Sequence, residues 1–300
     1  MRSRAREFDA EPNVLPLGSG MGPGEHEDSI GAILVAQGRI TRTDIDRIME
    51  LQREEGWRFG QAAVRLGLIN EGDLERALNR QYDLPDLVNA NSNASLELVT
   101  AYQPFHRRAE ELRGLLTQLM IHWFGTGRRV LTVVSPGAGE GRSYVAANLA
   151  VLFSQLGQRT LLVDADMRRP RQHRIFDVPD RIGLTTILAG RADTSAAVPV
   201  NGFSRLSLLP AGALPPNPLE LLSRPVLGRL LKEFQGEYDV VLLDTPPARM
   251  YADAQSITFR AGSAMVVTRK NHTRVADSNR VIQELNDTGA RVVGAVMNGF

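Results

Sequence analysis

No cysteine occurs in the 300 residues, which excludes disulfides, thiolate metal sites and a cysteine nucleophile. Lysine is almost as scarce: Lys232 and Lys270 are the whole supply, and the other 33 of the 35 basic residues are arginines. Any chemistry that needs a lysine therefore has two places to sit. Charge of one sign is lacking too, because 35 basic residues face 34 acidic ones for a formal net charge of +1. That balance argues against binding nucleic acid or an anionic membrane by bulk electrostatics. No apolar run approaches the ~18 residues that span a bilayer. Residues 1–24 carry Arg2, Arg4 and Arg6 without an apolar core, so neither a signal peptide nor an anchor is expected and the chain is read as cytoplasmic. What is present, 43% hydrophobic and 23% charged residues, suits one large or two modest globular domains.

An internal repeat lies near the start. Ser29-Ile30-Gly31 through Gln52 aligns with Arg58-Phe59-Gly60 through Gln81 at a constant offset of 29, matching Gly31/Gly60, Gly38/Gly67, Ile40/Ile69, Ile45/Leu74 and Gln52/Gln81. Each copy reads as a short apolar helix, a glycine turn and a second helix capped by Thr41 or Asn70. Two such hairpins, each with one apolar face, are expected to pack as a small all-α tandem-repeat domain over residues 27–87. Residues 1–26 are expected to be disordered. The Asn- and Ser-rich stretch 88–105 reads as a linker, and residues 106–300 form a second domain.

That second domain alternates aliphatic runs, Val130–Val134, Thr160–Asp164, Leu206–Leu209, Val240–Asp244, 264–268 and 292–297, with helical patterns at 143–156, 218–234 and 274–287. Apolar strands separated by helices predict an α/β doubly wound parallel sheet. Directly after the first run comes Ser135-Pro136-Gly137-Ala138-Gly139-Glu140-Gly141-Arg142-Ser143, opening a helix. A glycine-rich turn there exposes consecutive backbone N–H groups and a helix N-terminus, a cradle for polyphosphate. The strict P-loop pattern has glycine where Pro136 stands and lysine where Arg142 stands. By itself the segment could equally be a turn that binds nothing. Two acidic motifs join it: Leu161-Leu162-Val163-Asp164-Ala165-Asp166-Met167-Arg168 and Val240-Val241-Leu242-Leu243-Asp244-Thr245-Pro246-Pro247. In an open parallel sheet those strand ends face the same crevice as the loop, where carboxylates with the Ser143 hydroxyl could hold Mg²⁺. Any one of them could instead be a helix cap.

These motifs resemble the bacterial tyrosine kinases of capsule and exopolysaccharide synthesis, P-loop relatives of the MinD/ParA ATPases. Pro215-Pro216-Asn217-Pro218-Leu219-Glu220-Leu221-Leu222 is similar to a further segment of that family. The layout of helical repeat followed by kinase core resembles the EpsG-type chain-length-determinant kinases. The resemblance implies ATP and Mg²⁺ as cofactors. Gly137, Ala138, Gly139, Glu140, Gly141, Arg142 and Ser143 would cradle the phosphates, with Arg168 and Asn298 beside the nucleotide. Ser143, Asp166 and Asp244 would hold the metal. Asp164 would activate a tyrosine hydroxyl or help place Mg²⁺, with Arg142 as the loop cation. Arg168 could equally be a solvated member of the cluster Arg168, Arg169, Arg171 and Arg174. A membrane co-polymerase partner, recruitment to the inner membrane, a protein tyrosine substrate and a homo-oligomer are likewise implied, with no nucleic acid. The tyrosines at 82, 102, 144, 238 and 251 are scattered, so the family's C-terminal tyrosine cluster has no counterpart and Tyr82 or Tyr102 in the linker is the expected substrate. Glu110-x-x-Arg113 resembles the start of the family's oligomer motif, with Leu116 where a second arginine belongs, and an ordinary amphipathic helix explains Leu112, Leu115, Leu116 and Leu119 as well. A nucleotide sensor without catalysis, or a MinD/ParA-like ATPase, are the competing readings.

The repeat resembles the N-terminal domain of type II secretion and pilus ATPases, some of which bind cyclic di-GMP. By that resemblance Gly31, Gly38, Gln52, Arg58, Gly60, Gly67 and Gln81 are candidate contacts, with Ser29 standing where the motif has arginine. A ligand-free docking domain accounts for the same residues.

Overall fold

The computed structural model describes residues 29–81 and 93–299. The expected disordered segment 1–26 and Tyr82 lie outside the described residues. The chain divides into two compact units at Asn70/Glu71, inside the second copy of the repeat.

In the first unit the repeat is visible in the backbone. Helix Ile30–Ala36 and helix Phe59–Arg65 have the same length and start 29 residues apart. Each ends in the same turn, with Gly38 and Gly67 at φ +66° and +68°. Leu34, Ile48, Ala62 and Ala63 are buried. Thr41 caps helix Arg42–Glu55: its hydroxyl accepts the Asp44 N–H, and the Asp44 carboxylate accepts the Thr41 N–H at 2.8 Å, the reciprocal box that ties down an N-terminus. Not all motif glycines face outward. A Cβ on Gly31 would meet the Phe59 ring at 3.3 Å, and Gly60 is buried, so this pair lets two helices approach. Gly38 and Gly67 have open space around them. Gln52 donates to the Trp57 carbonyl at 3.2 Å, and Arg58 is exposed. Gln81, in the second unit, is half-buried at the end of helix Glu71–Gln81.

The second unit is built on a seven-stranded sheet: β1 (Val130–Val134), β2 (Thr160–Asp164), β3 (Val198–Pro199), β4 (Leu206–Leu209), β5 (Val240–Asp244), β6 (Ser263–Arg269) and β7 (Arg291–Asn298). The spatial order is β3-β4-β2-β5-β1-β6-β7. All pairs are parallel except β3 with β4. Strands β1, β2 and β5 are buried along their whole length, as central strands covered on both faces must be. Alternate residues feed two cores. Leu131, Val133, Leu162 and Leu242 meet Leu112, Leu116, Leu119, Val145, Leu149 and Phe153 on one side. Val130, Leu161, Val163, Val241 and Leu243 meet Leu227, Leu230, Leu231, Phe234 and Ile257 on the other.

Three expectations need correction: the linker up to residue 105, the exposure of Tyr102 and the single helix over 218–234. Residues 93–105, read as the end of a linker, belong to the core. Ala94, Leu98, Val99, Thr100 and Ala101 are buried, and fully buried Asn148 fastens them. Its side chain accepts from the Thr100 N–H at 3.1 Å and from the Thr100 hydroxyl at 2.9 Å, and donates to the Glu97 carbonyl at 2.9 Å. A polar, Asn- and Ser-rich composition hid an anchor that only its partner helix defines. Tyr102 is consequently half-buried, with its hydroxyl donating to the Ala94 carbonyl at 2.9 Å, not displayed as an exposed substrate. The helix expected over 218–234 is two, Pro218–Ser223 and Val226–Glu237, because Pro225 cannot continue the first and its fixed φ suits the start of the second. Leu116 is buried in the core of its own chain, and Arg113 donates to the Pro104 carbonyl at 2.6 Å.

Candidate functional site

Parallel register brings the motifs together. Asp164 and Asp244 are Cα partners at the carboxyl ends of β2 and β5, and Val133 of β1 pairs with Asp244. The glycine loop therefore leaves its strand beside Asp244, with Asp164 one strand further along the sheet. Gly139 and Gly141 sit at φ +72° and +89°, the left-handed region that costs other L-residues ~1–2 kcal/mol. Gly141 is the N-cap of helix Arg142–Gln155, whose positive end faces the loop.

Inside the loop, Glu140 is buried and turned inward. Its carboxylate accepts the Gly137 N–H at 3.0 Å and the Thr273 hydroxyl at 2.6 Å, while Asn298 donates to the Glu140 carbonyl at 3.4 Å. Asn298 thus touches the loop. A cavity of about 730 Å³ opens next to it, with Gly139, Gly141, Leu112, Leu115, Tyr144 and Asn298 among its lining residues. That volume is in the range of small-molecule sites. Burial raises the Tyr144 hydroxyl above its ordinary pKa.

Arg142 is only 8% exposed, and its guanidinium turns to the acids. Nε donates to Asp244 Oδ1 at 2.8 Å, Nη2 to Asp166 Oδ2 at 2.9 Å, and Nη1 to Ser135 Oγ at 3.0 Å. Ser135 in turn donates to the Gly137 carbonyl at 2.8 Å. The remaining carboxylate oxygens are also engaged. Asp244 Oδ2 accepts Gln172 Nε2 at 2.7 Å, and Asp166 Oδ1 accepts the backbone N–H groups of Arg168 and Arg169 at 3.1 and 2.9 Å. Asp164 is fully buried. Its oxygens accept the N–H groups of Asp166, Arg171 and Gln172 at 3.2, 3.0 and 2.9 Å, so its first task is to shape the loop that follows β2. Burial, then the neighbouring charge of Asp244, pushes the Asp164 carboxyl well above its usual range. Burial also raises Asp166, against the opposing pull of Arg142.

The donor set expected for Mg²⁺ does not fit a divalent ion in this arrangement. Ser143 opens the right helix, and Asp166 and Asp244 stand at the right strand ends. Yet each of their four oxygens already accepts an N–H, two of them from one guanidinium. Among the described residues no three acidic or imidazole side chains are arranged to hold a metal ion. Arg168 also differs from expectation. It forms a bidentate pair with buried Asp253 at 2.6 and 3.1 Å and lies 3.9 Å over the Tyr251 ring, joining the loop after β2 to the helix Asp253–Ala261. Arg171 pairs with Glu97 at 2.6 Å.

Sequence reasoning missed Gln172, which links Asp244 to the Ser143 carbonyl at 3.1 Å, and missed Ser135, Asp253 and Tyr251. Gln172 belongs to no motif. Only its burial among charged groups marks it.

With this geometry in hand, similarity to known proteins becomes specific. Residues 127–299 match the ParA family, described as NUBPL iron-transfer P-loop NTPase. The chain is 32% identical over 211 residues to tyrosine-protein kinase YwqD of Bacillus subtilis, covering 70% of this chain and 89% of that one. It is 30% identical over 196 residues to tyrosine-protein kinase etk of Escherichia coli, covering 65% of this chain but 27% of that longer protein. The solved kinase domain of E. coli ETK superposes with a TM-score of 0.65 at 29% identity, over 67% of this chain and 79% of that one. The family match over residues 127–299 and the identity to YwqD across most of both chains carry the conclusion that this chain belongs to the bacterial tyrosine kinases, within the ParA/MinD-related P-loop proteins.

Proposed function

We propose that this chain is an ATP-dependent protein tyrosine kinase that regulates exopolysaccharide chain length or export together with a membrane co-polymerase. The observation that carries it is the convergence of the loop 135–143, a helix N-terminus and three buried aspartates at adjoining strand ends, in a chain whose relatives are tyrosine kinases. The backbone N–H groups of residues 138–143 and the positive end of helix Arg142–Gln155 bind the ATP phosphates, while the Gly137 N–H is held by Glu140. The base enters the cavity beside Tyr144 and Asn298. Asp164, at the carboxyl end of β2 beside Asp244, is the residue assigned to accept the proton of the substrate hydroxyl.

Among the described residues no helix is long and apolar enough to cross a membrane; recruitment to the inner membrane by the co-polymerase is part of the proposal. Homo-oligomerisation through the Glu110–Arg113 region remains part of the proposal. Cyclic di-GMP is proposed as a ligand of the repeat, supported by the open left-handed turns at Gly38 and Gly67 and by exposed Arg58. Gly31 and Gly60 are occupied with helix packing.

The second reading, a MinD/ParA-like ATPase or nucleotide sensor, is favoured by one observation, the loop cation tied to the acids instead of facing the phosphate cradle. Incubation with ATP followed by mass spectrometry separates the two. Phosphotyrosine on this chain or on an added tyrosine substrate, absent in Asp244→Ala, supports the kinase. Phosphate release without any phosphotyrosine rejects it in favour of the ATPase. Calorimetry with cyclic di-GMP tests the repeat, and no heat at high micromolar ligand rejects that part.

A further inference from the structure

Arg142 does more than replace a lysine. A lysine ammonium is a point charge on a flexible stem, whereas a guanidinium is a rigid planar fork that can satisfy several acceptors at once. Here three of its nitrogens each have a separate acceptor: Ser135, Asp166 and Asp244. The fork spans the gap between the two carboxylates that a Walker-type site reserves for its ion. Mg²⁺ demands oxygens at ~2.0–2.1 Å in near-octahedral array. The carboxylates of Asp166 and Asp244 instead each accept one N–H of the guanidinium, and Gln172 and the backbone of Arg168 and Arg169 fix their other oxygens. Withdrawing Arg142 would strand two buried carboxylates beside a third, Asp164, and breaking a buried ion pair by removing one partner is strongly unfavourable.

We infer that Arg142 is the resident cation of this site, occupying the place between Asp166 and Asp244 so that the nucleotide-free protein takes up no divalent metal there. This deepens the nucleotide-site reading above and rests on it. The consequence is a site whose carboxylates are neutralised from within, and metal uptake on them requires loss of the arginine.

The probe is Mn²⁺ alone, titrated into the full chain without nucleotide and counted by electron paramagnetic resonance. The parent is expected to hold no more Mn²⁺ than Asp244→Asn does. Arg142→Ala is expected to gain one site at least about a hundredfold tighter than any in the parent, and Arg142→Ala combined with Asp244→Asn should lose it again. One Mn²⁺ bound by the parent and lost in Asp244→Asn would overturn the inference, and this comparison needs no arginine variant to fold. An Arg142→Ala protein with parent-like circular dichroism that binds no more Mn²⁺ than the parent would overturn it too. A fluorescent ATP analogue, added once with Mg²⁺ and once in EDTA, is read separately. Its failure to bind the parent in both removes the nucleotide-site reading, while the Mn²⁺ comparison still decides what Arg142 does.

Discussion

The ion cluster around Arg142 makes a stability prediction that can be worked through. Replacing Arg142 with methionine keeps most of the stem's bulk and deletes the fork, leaving Asp166 and Asp244, 3% and 0% exposed, without their cation. Removing one partner of a buried pair costs about 3–5 kcal/mol. Asp244→Asn is milder. It keeps the shape, but its single oxygen must serve both Arg142 Nε and Gln172 Nε2, so about 1–3 kcal/mol is expected for the donor left over. The double variant has no fork to strand and leaves one carboxylate, Asp166, without its cation where the single arginine variant leaves two, so its cost should fall short of the sum by about 1–3 kcal/mol. Urea unfolding of the four proteins measures this. The only tryptophans are Trp57 and Trp123. A Trp57→Phe background leaves buried Trp123, whose indole donates to the Val130 carbonyl at 2.8 Å beside β1, as sole reporter of the sheet-containing unit. Equal m-values across the set are required for the comparison. A coupling below about 0.5 kcal/mol, the scatter expected of independent sites, would refute the view that the three groups act as one cluster.

Further outcomes follow from other parts of the unit. Asp164 binds its proton more tightly folded than unfolded, so folding stability falls as pH rises from the unfolded carboxylate value near 3.8 through the raised folded one. Asp164→Asn should flatten that decline, and a slope of stability against pH identical to the parent's would contradict the assignment. Gly139→Ala should cost about 1–2 kcal/mol in thermal or urea unfolding and weaken ATP binding, from its φ of +72° alone, since a Cβ there meets nothing within 4 Å. An unchanged protein would mean the loop adapts without strain. Asn148→Ala strands the Thr100 N–H and the Glu97 carbonyl, which predicts a loss of about 2–4 kcal/mol and faster amide exchange over residues 94–102; full protection there would argue that apolar packing alone holds the segment. Arg168→Lys loses the bidentate geometry on Asp253 and the stack on Tyr251, and should cost about 1–3 kcal/mol, read by thermal unfolding.

Much of this protein follows from its sequence because the signals are local. Continuous aliphatic runs marked β1, β2, β4 and β5 with their observed ends, since central parallel strands must be apolar on both faces. The 29-residue offset marked repeated turns, since Gly38 and Gly67 both need a left-handed backbone. Spacing after the strands marked the loop and Asp164, Asp166 and Asp244. Tertiary structure decided what those groups do to one another. Whether Arg142 faces a phosphate or two carboxylates depends on how β2 and β5 lie side by side. That register is long-range and leaves no mark in the loop itself. Gln172, Asn148 and Asp253 are ordinary polar residues in the sequence and acquire their meaning only through burial, where an unmet hydrogen bond is costly and each must find its partner. The absence of lysine from the loop was legible from composition. That the replacement forms a closed ion cluster is a property of the fold.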